Sequence, residues 1–385
     1  MRITHLCLAG MITEKWSYQE NMLIKYHKKL GHEVSVITSQ WIKNNNNGYE
    51  KINDIDYIGE YGAHYYRLPI KGKDVIGNRL KRYAGVYQTL QKCNPDVLFV
   101  HGCQFLDIRE VKKYVEEFKP VVYIDNHSDF SNSAKSFLSR YVLHGLLWRC
   151  LANSISKYVN YFYGVLPARV DFLKEVYHLP ENKCRLLVMG ADDELVTASK
   201  ESNARSVLRK RFGIEQDDFL VVTGGKIDRW KTQTILLMKA VRELQPKVKL
   251  LIFGSIDDTL KAEVENLIDG EKIQHIGWIS QKESYDVFEA ADVAVFPGRH
   301  SIYWEQAAGQ GLPLICKDWA GTHHVDLGGN VMFLSSDSVD EIKRALLKIT
   351  EDTSLYLSMK KIAQKKAIDY FSYSNIAKRA IESIS

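Results

Sequence analysis

Residues 219–231 read FLVVTGGKIDRWK, an apolar run followed by a glycine pair and two lysines. A glycine pair at the end of a strand lets a ligand approach the backbone closely. Lys226 and Lys231 flank the turn that opens the next helical segment, where two ammonium groups can clamp a diphosphate leaving group and stabilise its developing charge. The alternative is that both lysines only solvate a loop.

Short apolar runs alternate with amphipathic segments on both sides of this stretch. Such alternation predicts parallel sheets covered on both faces, with ligand-binding loops at the carboxyl ends of the strands. Tyr18–Leu30 shows helical spacing and stops at Gly31. The predicted strands of the first half are Ile3–Leu8, Glu33–Thr38, Val97–Val100, Val121–Ile124, Tyr161–Val165 and Arg185–Met189. Those of the second half are Phe219–Thr223, Lys249–Phe253, Ile273–Ile276, Val293–Phe296, Leu314–Cys316 and Val331–Leu334.

The chain has 385 residues, which predicts two domains because one core stops growing below that size. The boundary is expected after Gly190, since residues 191–203 are polar and lack apolar periodicity. A surface loop is expected at Asn44–Asn47. The architecture inferred is two doubly wound α/β domains of similar size, 1–190 and 191–366, with a cleft between them.

Composition narrows the class of protein. The 45% hydrophobic and 26% charged residues are ordinary for a soluble globular chain, and no apolar run has the ~20 residues of a membrane span. The N-terminus lacks a signal-peptide pattern and predicts a first strand. Six scattered cysteines suggest neither a zinc site nor a disulfide framework, which fits a reducing cytoplasm.

Charge is uneven along the chain. Residues 1–190 hold 26 Lys+Arg and 18 Asp+Glu, a net charge of +8, against −3 for the remainder. A basic first half favours an anionic acceptor or surface there, although an ordinary solvated surface explains the bias equally well.

A second stretch, FPGRHSIYWEQAAGQGLP at residues 296–313, predicts a strand end, a loop and a short helix from about Ile302 with Ser301 as its N-cap. A helix N-terminus is an anion site, and Glu305 or Gln306 in the first turns can accept from ribose hydroxyls. The alternative is an ordinary capped helix under a buried strand.

A third stretch, GTHHVDLGGN at residues 321–330, contains adjacent histidines. A metal site would use His323, His324 and Asp326, but neighbouring histidines rarely converge on one ion and no nearby Cys or Glu completes a set. No metal is therefore expected.

Taken in order, these landmarks resemble the family 4 glycosyltransferases of the GT-B fold, the glycosyl transferases group 1, over nearly the whole chain. The residues that carry the resemblance are YQENMLIKYHKKLGHEVSVIT (18–38), RLLVMGADD (185–193), GGKIDRWK (224–231), GQGLP (309–313) and YFSYSNIAKRAIESI (370–384). The resemblance implies an N-terminal acceptor domain, a C-terminal donor domain and a final helix, 367–385, that crosses back to the N-terminal domain. It also implies a nucleotide diphosphate sugar as donor, UDP-linked, with retention of configuration, no cofactor and no metal.

The resemblance assigns roles to particular residues. Lys226 and Lys231 match the two basic diphosphate contacts, and Gly225 lies between them and the strand. Gln306 stands where the family has its second Glu, and the first Glu would fall at Gly298. Arg299 or His300 can replace that group, so the donor site is predicted to comprise Gly225, Arg299, His300, Ser301, Glu305 and Gln306.

In the first half, DNHSD at 125–129 follows a predicted strand. His127 matches the family histidine that meets the donor sugar across the cleft, and with the two lysines it completes the predicted catalytic set. His101 ends the preceding strand and could face the same cleft. The first loop has Trp16-Ser17-Tyr18 in place of the family's glycine pair. Trp16, Tyr18, His101 and Asp129 are therefore predicted to be acceptor or cleft residues.

Ala134–Lys157 mixes large apolar residues with Lys135, Arg140, Arg149 and Lys157. Such a helix can lie on an anionic membrane, although an ordinary packed helix with charged flanks has the same composition. A second basic cluster comprises Lys71, Lys73, Arg79, Lys81 and Arg82. Neither cluster has the aromatic platform of a nucleic-acid binder, so nucleic acid is not an expected partner.

The sequence and the resemblance thus predict a metal-independent hexosyltransferase acting on a saccharide or lipid-diphosphate-linked acceptor in capsule or other cell-surface polysaccharide synthesis. Its expected place is the cytoplasm, at the inner face of the plasma membrane. Two alternatives stay open: a nucleotide-sugar epimerase of the same fold, and a non-catalytic partner subunit of a glycosyltransferase.

Overall fold

The computed structural model describes residues 1–43, 48–72, 81–130, 133 and 136–382. The predicted Asn44–Asn47 loop, Lys73 and Arg79 of the second basic cluster, Ala134 and Lys135 of the amphipathic segment, and the last three residues lie outside the described residues. The chain folds into two compact units. The first is Met1–Val188 with the C-terminal segment from Ile376, and the second is Met189–Asn375.

The main sheet of the first unit is parallel except at one edge. Among the described residues its strands are β1 (Arg2–Cys7), β2 (Glu33–Ser39), β5 (Asp56–Ile58), β6 (His64–Leu68), β7 (Val97–His101), β8 (Val121–Asn126), β9 (Tyr161–Gly164) and β10 (Cys184–Leu186), and β3 (Trp41–Lys43) with β4 (Tyr49–Lys51) forms a separate antiparallel ribbon. The order is β10-β9-β8-β7-β1-β2-β6-β5, with β5 antiparallel to β6. The order therefore reverses between β1 and β7.

The sheet of the second unit is parallel throughout its described strands. These are β11 (Phe219–Gly224), β12 (Val248–Phe253), β13 (Ile273–His275), β14 (Val293–Phe296), β15 (Leu314–Lys317) and β16 (Val331–Leu334). The order is β13-β12-β11-β14-β15-β16, a doubly wound sheet that reverses between β11 and β14.

Helices connect the parallel strands in both units. Those described in the first are Gln19–Lys29, Val86–Cys93, Ile108–Phe118, a π-helical Leu138–Trp148 that continues as Arg149–Ile155, and Pro167–Glu175. Those in the second are Asp193–Glu201, Ala204–Arg211, Gln233–Arg242, Lys261–Glu265, Gln281–Ala290, Tyr303–Gly309, Val339–Glu351 and Thr353–Ile362, which continues through a π-helical Ala363–Ala367 to Ile368–Tyr370. The last described helix is Tyr373–Arg379, and single 3₁₀ turns lie at Glu60–Gly62, Ser156–Tyr158, Glu181–Lys183, Asp258–Leu260 and His323–Val325.

Each unit has its own apolar core. Strand β7 is buried along its whole length, as expected for a central parallel strand with helices on both faces. Leu98, Val100 and Phe162 belong to the core of the first unit, and Val221 and Ile252 to that of the second. The prediction of two doubly wound α/β domains is confirmed.

All twelve predicted strands are present, with ends displaced by a few residues. Sequence patterning missed β3 to β6, because these strands are short or polar. Strand β6, HYYRL, buries Arg67 to 2% exposure, and that side chain donates to the carbonyl of Ser39 (2.9 Å) and to the hydroxyl of Tyr57 (2.9 Å). No helix among the described residues is both long and apolar enough to cross a bilayer.

Candidate functional site

The loop after β11 lies at the point where the second sheet reverses its order, which is where doubly wound sheets bind ligands. A Cβ on Gly224 would lie 2.0 Å from the ring of Phe253, so packing alone demands glycine there. Gly225 has φ +119° and donates its N–H to the carbonyl of Phe253 at 3.0 Å. The glycine pair therefore allows close packing between the ends of β11 and β12. Because Gly225 has no side chain, its backbone is also not covered by one.

The two lysines of this loop stand in different surroundings. Lys231 Nζ is 3.4 Å from the position of a Cβ on Gly225, so its ammonium lies directly over the open backbone. Burial lowers the pKa of Lys231, although Asp228 opposes that shift. Lys226 is exposed, 4.0 Å from the carboxylate of Asp257, and lines an open depression with Arg229.

The loop after β14 meets the loop after β11 through aromatic and backbone contacts. The guanidinium of Arg299 lies 4.8 Å from the ring centre of Trp230, and Arg229 lies 5.0 Å from the same ring. The indole N–H of Trp319, in the loop after β15, donates to the carbonyl of Gly298 at 3.3 Å. Loops from three carboxyl ends thus converge beside Lys231 with an excess of positive charge.

The helix at Tyr303–Gly309 differs from its prediction. Its N-cap is Ile302, and the Ser301 side chain makes no cap hydrogen bond, so the prediction of Ser301 as N-cap is wrong. Instead, the carbonyl of Ser301 accepts from the N–H of Trp304, because the chain turns into the helix one residue later than expected. Gln306 is 6% exposed and donates to the hydroxyl of Ser284 at 2.7 Å.

Glu305 forms a buried cluster with two histidines. Its Oε1 accepts from His300 Nε2 and His324 Nε2, both at 2.8 Å, and its side chain is fully buried. Burial alone would raise the pKa of Glu305, but the two histidines lower it to about 2. One carboxylate oxygen of Glu305 is thus bonded to protein, and its pairing with ribose hydroxyls stays a prediction.

The adjacent histidines diverge, as expected from their spacing. His323 Nε2 bonds Asp318 at 2.6 Å, and Asp326 accepts from the N–H groups of Gly328 and Gly329. The ligand atoms of His300, Glu305 and His324 lie within 4.8 Å of one another. If this unit holds a metal ion, that group and not His323 with Asp326 has the geometry for it.

The first unit has its own pocket at the β1/β7 reversal. A cavity of about 280 Å³ is lined by residues that include Gly10, Glu20, Lys81, His101 and His127. Glycine is required at position 102, where φ is +81° and a Cβ would lie 2.8 Å from Ala9. His101 and His127, both predicted for one cleft, therefore share a pocket.

Asp125 joins these two histidines. Its Oδ2 lies 2.6 Å from His101 Nδ1 and 3.5 Å from His127 Nε2, and its side chain is fully buried. Sequence reasoning did not single out Asp125 as a site residue. Its position at the end of a buried strand, two residues before His127, was the available signal.

The other predicted acceptor residues lie away from this pocket's lining. Trp16 and Tyr18 contact each other edge-to-face at 5.3 Å, and Tyr18 is half exposed. Asp129 is 7% exposed and accepts from Arg169 Nε at 3.1 Å, because the chain after His127 turns its side chain toward the Pro167–Glu175 helix.

The described members of the second basic cluster, Lys71, Lys81 and Arg82, do not form a basic surface. Lys71 is 2.7 Å from Glu110 and 3.5 Å from Asp107, so its charge is neutralised. Lys81 donates to the carbonyl of Ala9 in the pocket wall, and burial lowers its pKa. Of the described members, only Arg82 is exposed.

Known proteins match parts of this chain in sequence. Residues 204–366 match the family described as "Glycosyl transferases group 1". The chain is 22% identical over 231 residues to the mannosylfructose-phosphate synthase of Agrobacterium fabrum, an alignment covering 56% of this chain. That alignment spans half (50%) of the length of the curated relative.

Solved structures resemble the whole chain. Anabaena Alr3699/HepE in complex with UDP superposes with a TM-score of 0.66 at 14% identity, covering 100% of this chain and 99% of that one. WaaG, "a glycosyltransferase involved in lipopolysaccharide biosynthesis", gives a TM-score of 0.65 at 16% identity, covering 98% of both chains. Residues 204–366 thus match the family that the sequence predicted. The chain has the predicted GT-B fold.

Proposed function

We propose that this protein is a glycosyltransferase that moves a sugar from a UDP-linked donor to a saccharide acceptor with retention of configuration. The observation that carries the proposal is the match of residues 204–366 to the glycosyl transferases group 1, because that segment contains all the loops that converge beside Lys231. The UDP in the similar Anabaena structure supports the choice of nucleotide.

In this proposal the diphosphate binds above Gly225. Lys231 is partly buried over that backbone, so its charge faces a less polar medium than water and stabilises a leaving diphosphate more strongly. Lys226 and Arg299 add charge from the exposed side. His300, held by Glu305, is the proposed contact for the donor sugar in the place of the missing family Glu.

We assign to His127 a contact with a sugar hydroxyl. It is the half-exposed member of the Asp125 group, with 35% of its side chain open to solvent. The carboxylate of Asp125 raises the pKa of His127 although burial opposes the shift, so His127 can donate hydrogen bonds to a sugar hydroxyl.

We propose further that the acceptor is lipid-linked and that the Leu138–Trp148 helix docks on an anionic membrane. An ordinary packed helix buries its apolar residues, but here six of them are exposed. Their exposed fractions are Phe137 77%, Leu138 63%, Tyr141 56%, Val142 43%, Leu143 38% and Leu146 61%. Arg140 and Arg149 flank this apolar face, which is the combination that interfacial helices use.

Incubation of the purified full chain with a panel of nucleotide sugars and saccharide acceptors tests the activity. The proposal expects UDP release that depends on an acceptor and a product with the donor's anomeric configuration. Interconversion of the donor without acceptor would instead indicate the epimerase, and no turnover with any donor would indicate the non-catalytic subunit.

A further inference from the structure

Three buried histidines, of which only His101 lines the pocket described above, form a continuous chain of contacts through the first unit. His27 Nε2 is 3.0 Å from the carbonyl oxygen of Ala377, and His27 Nδ1 is 3.0 Å from His5 Nε2. His5 Nδ1 is 2.9 Å from His101 Nε2, and His101 Nδ1 is 2.6 Å from Asp125 Oδ2. The four side chains lie on β1, the Gln19–Lys29 helix, β7 and β8, and none is more than 5% exposed.

The direction of each hydrogen bond follows from the end of this hydrogen-bonded series at Ala377. A carbonyl oxygen only accepts, so the proton at that end is on His27 Nε2. Burial lowers the pKa of His27 to about 4, so the ring is neutral at pH 7 and its Nδ1 is an acceptor. His5 Nε2 therefore donates to His27.

The same argument identifies the donors and acceptors between His5 and Asp125. Burial, together with the neighbouring His27 and His101, holds the pKa of His5 well below its ordinary value, so His5 is neutral and its Nδ1 accepts from His101 Nε2. Burial opposes ionisation of Asp125, but His101 and His127 hold its pKa below its ordinary range, so the carboxylate accepts from His101 Nδ1. The four contacts in a row can all be hydrogen bonds only if three rings carry four protons, and the ring next to the carboxylate, His101, then holds the extra one.

We propose that His27, His5 and His101, here called the histidine relay, are positioning residues that lock a charged His101–Asp125 pair beneath His127. The hydrogen bond from His27 to the carbonyl of Ala377 determines where the protons lie in the relay, and hence the protonation of His101. No substrate is expected near Ala377. Its consequence for sugar transfer rests on the proposed role of His127. The other titratable or charged groups around His127 and the pocket are Glu20, Lys81, His144 and Arg169.

The relay makes a specific prediction for a change at its far end. With His27→Phe, His5 Nε2 loses its acceptor, and the buried ring is expected to move its proton to Nδ1 and donate to His101 Nε2. His101 then loses its Nε2 proton and becomes neutral. The charge of Asp125 is no longer balanced, so the titration midpoint of His127 should rise by about one pH unit.

Nitrogen-15 NMR of the full chain labelled at histidine, recorded without nucleotide, tests this directly. The wild-type protein should show His101 with both nitrogens protonated and His5 and His27 as neutral Nε2–H forms. His27→Gln should keep the His5 and His101 signals unchanged, since its amide can donate to Ala377 and accept from His5. His32→Phe is the matched control, because its ring lies 6.1 Å from that of His27 but outside the relay, and it should leave the pattern unchanged.

A neutral His101 in the wild type would overturn the proposal, as would an unchanged His101 spectrum in His27→Phe. If His27→Phe does not fold, the wild-type and His27→Gln spectra still decide it. These outcomes do not depend on activity, so a failure of the glycosyltransferase proposal and a failure of the relay are distinguishable.

Discussion

Lys231 and Lys226 follow the same strand, yet only Lys231 is held over the open backbone of Gly225. A preorganised charge next to a leaving group contributes more than a solvated one, because it does not have to be reorganised during the reaction. At the scale of residues, the proposed chemistry therefore depends first on Lys231 and then on Lys226, Arg299 and the His300–Glu305 pair.

Lys231→Ala should lower turnover by roughly 10²–10³-fold, the range for removal of one preorganised charge-stabilising group. Lys226→Ala should also lower turnover. Initial rates of UDP release measure both, with Lys239→Ala as control, since that lysine is exposed and pairs with Glu263 at 2.9 Å on another part of the same unit. Wild-type turnover in both Lys231→Ala and Lys226→Ala would exclude the diphosphate assignment.

Glu305 should make stability depend on acid pH. Its folded pKa is about 2 against an ordinary value of 4.5, so its contribution is complete above about pH 4.5 and is lost as pH falls through 2. The shift corresponds to about 3 kcal/mol, as an order of magnitude. Denaturant unfolding of wild type and Glu305→Gln at several pH values should give a difference that shrinks on acidification. A pH-independent difference would contradict this reading.

The same cluster bears on the expected metal independence. Because both histidines already bond Glu305 and the lysines supply the charge, activity should survive dialysis against EDTA. Turnover before and after chelation, with metal content measured in the same samples, checks this. Loss of activity restored by a divalent cation would point to His300, Glu305 and His324 as its ligands.

At the scale of elements, the Leu138–Trp148 helix is notable for its exposed apolar side chains. Its buried side chains, among them His144 and Trp148, anchor it to the first unit, and its opposite face is apolar and exposed. Composition alone could not separate a packed helix from an interfacial one, because both contain the same residues. The exposed fractions now favour the interfacial reading.

The protein should therefore sediment with anionic vesicles at low salt and less so at high salt. Each basic residue near such a surface adds about 1 kcal/mol of electrostatic attraction, which salt screens. Two double variants should lose this binding to vesicles: Arg140→Glu with Arg149→Glu, and Phe137→Ser with Leu146→Ser. Leu357→Ser is the control, because Leu357 is 56% exposed but lies on the Thr353–Ile362 helix of the second unit. Wild-type protein that stays in the supernatant would favour a soluble acceptor.

Elements with apolar periodicity were predictable from sequence, and those that depend on buried polar pairs were not. Strands β7 and β11 are continuous apolar runs, so they were predicted within one residue. Strand β6 was missed because Arg67 becomes buried only when Ser39 and Tyr57 meet it. The chain of hydrogen bonds through His5, His27, His101 and Asp125 was not predictable either, because these residues are distant in sequence.

At the scale of the whole molecule, the two units repeat one design. Each sheet reverses its strand order in its centre, between β1 and β7 or between β11 and β14, and the candidate residues lie at that reversal in each unit. The order of landmarks along the chain predicted this architecture. The identity of the donor contacts was less predictable, because Ser301, Glu305 and Gln306 were placed by analogy and the structure ties the last two to protein partners.

The central claim is that UDP binds at the converging loops of the second unit, and calorimetric titration of the full chain with UDP tests it most directly. The account predicts one saturable site per chain, with affinity lowered about tenfold or more, equivalent to about 1.4 kcal/mol, by Lys231→Ala and left unchanged by Lys239→Ala. Absence of UDP binding to the wild type, or equal affinity for wild type and Lys231→Ala, would contradict it.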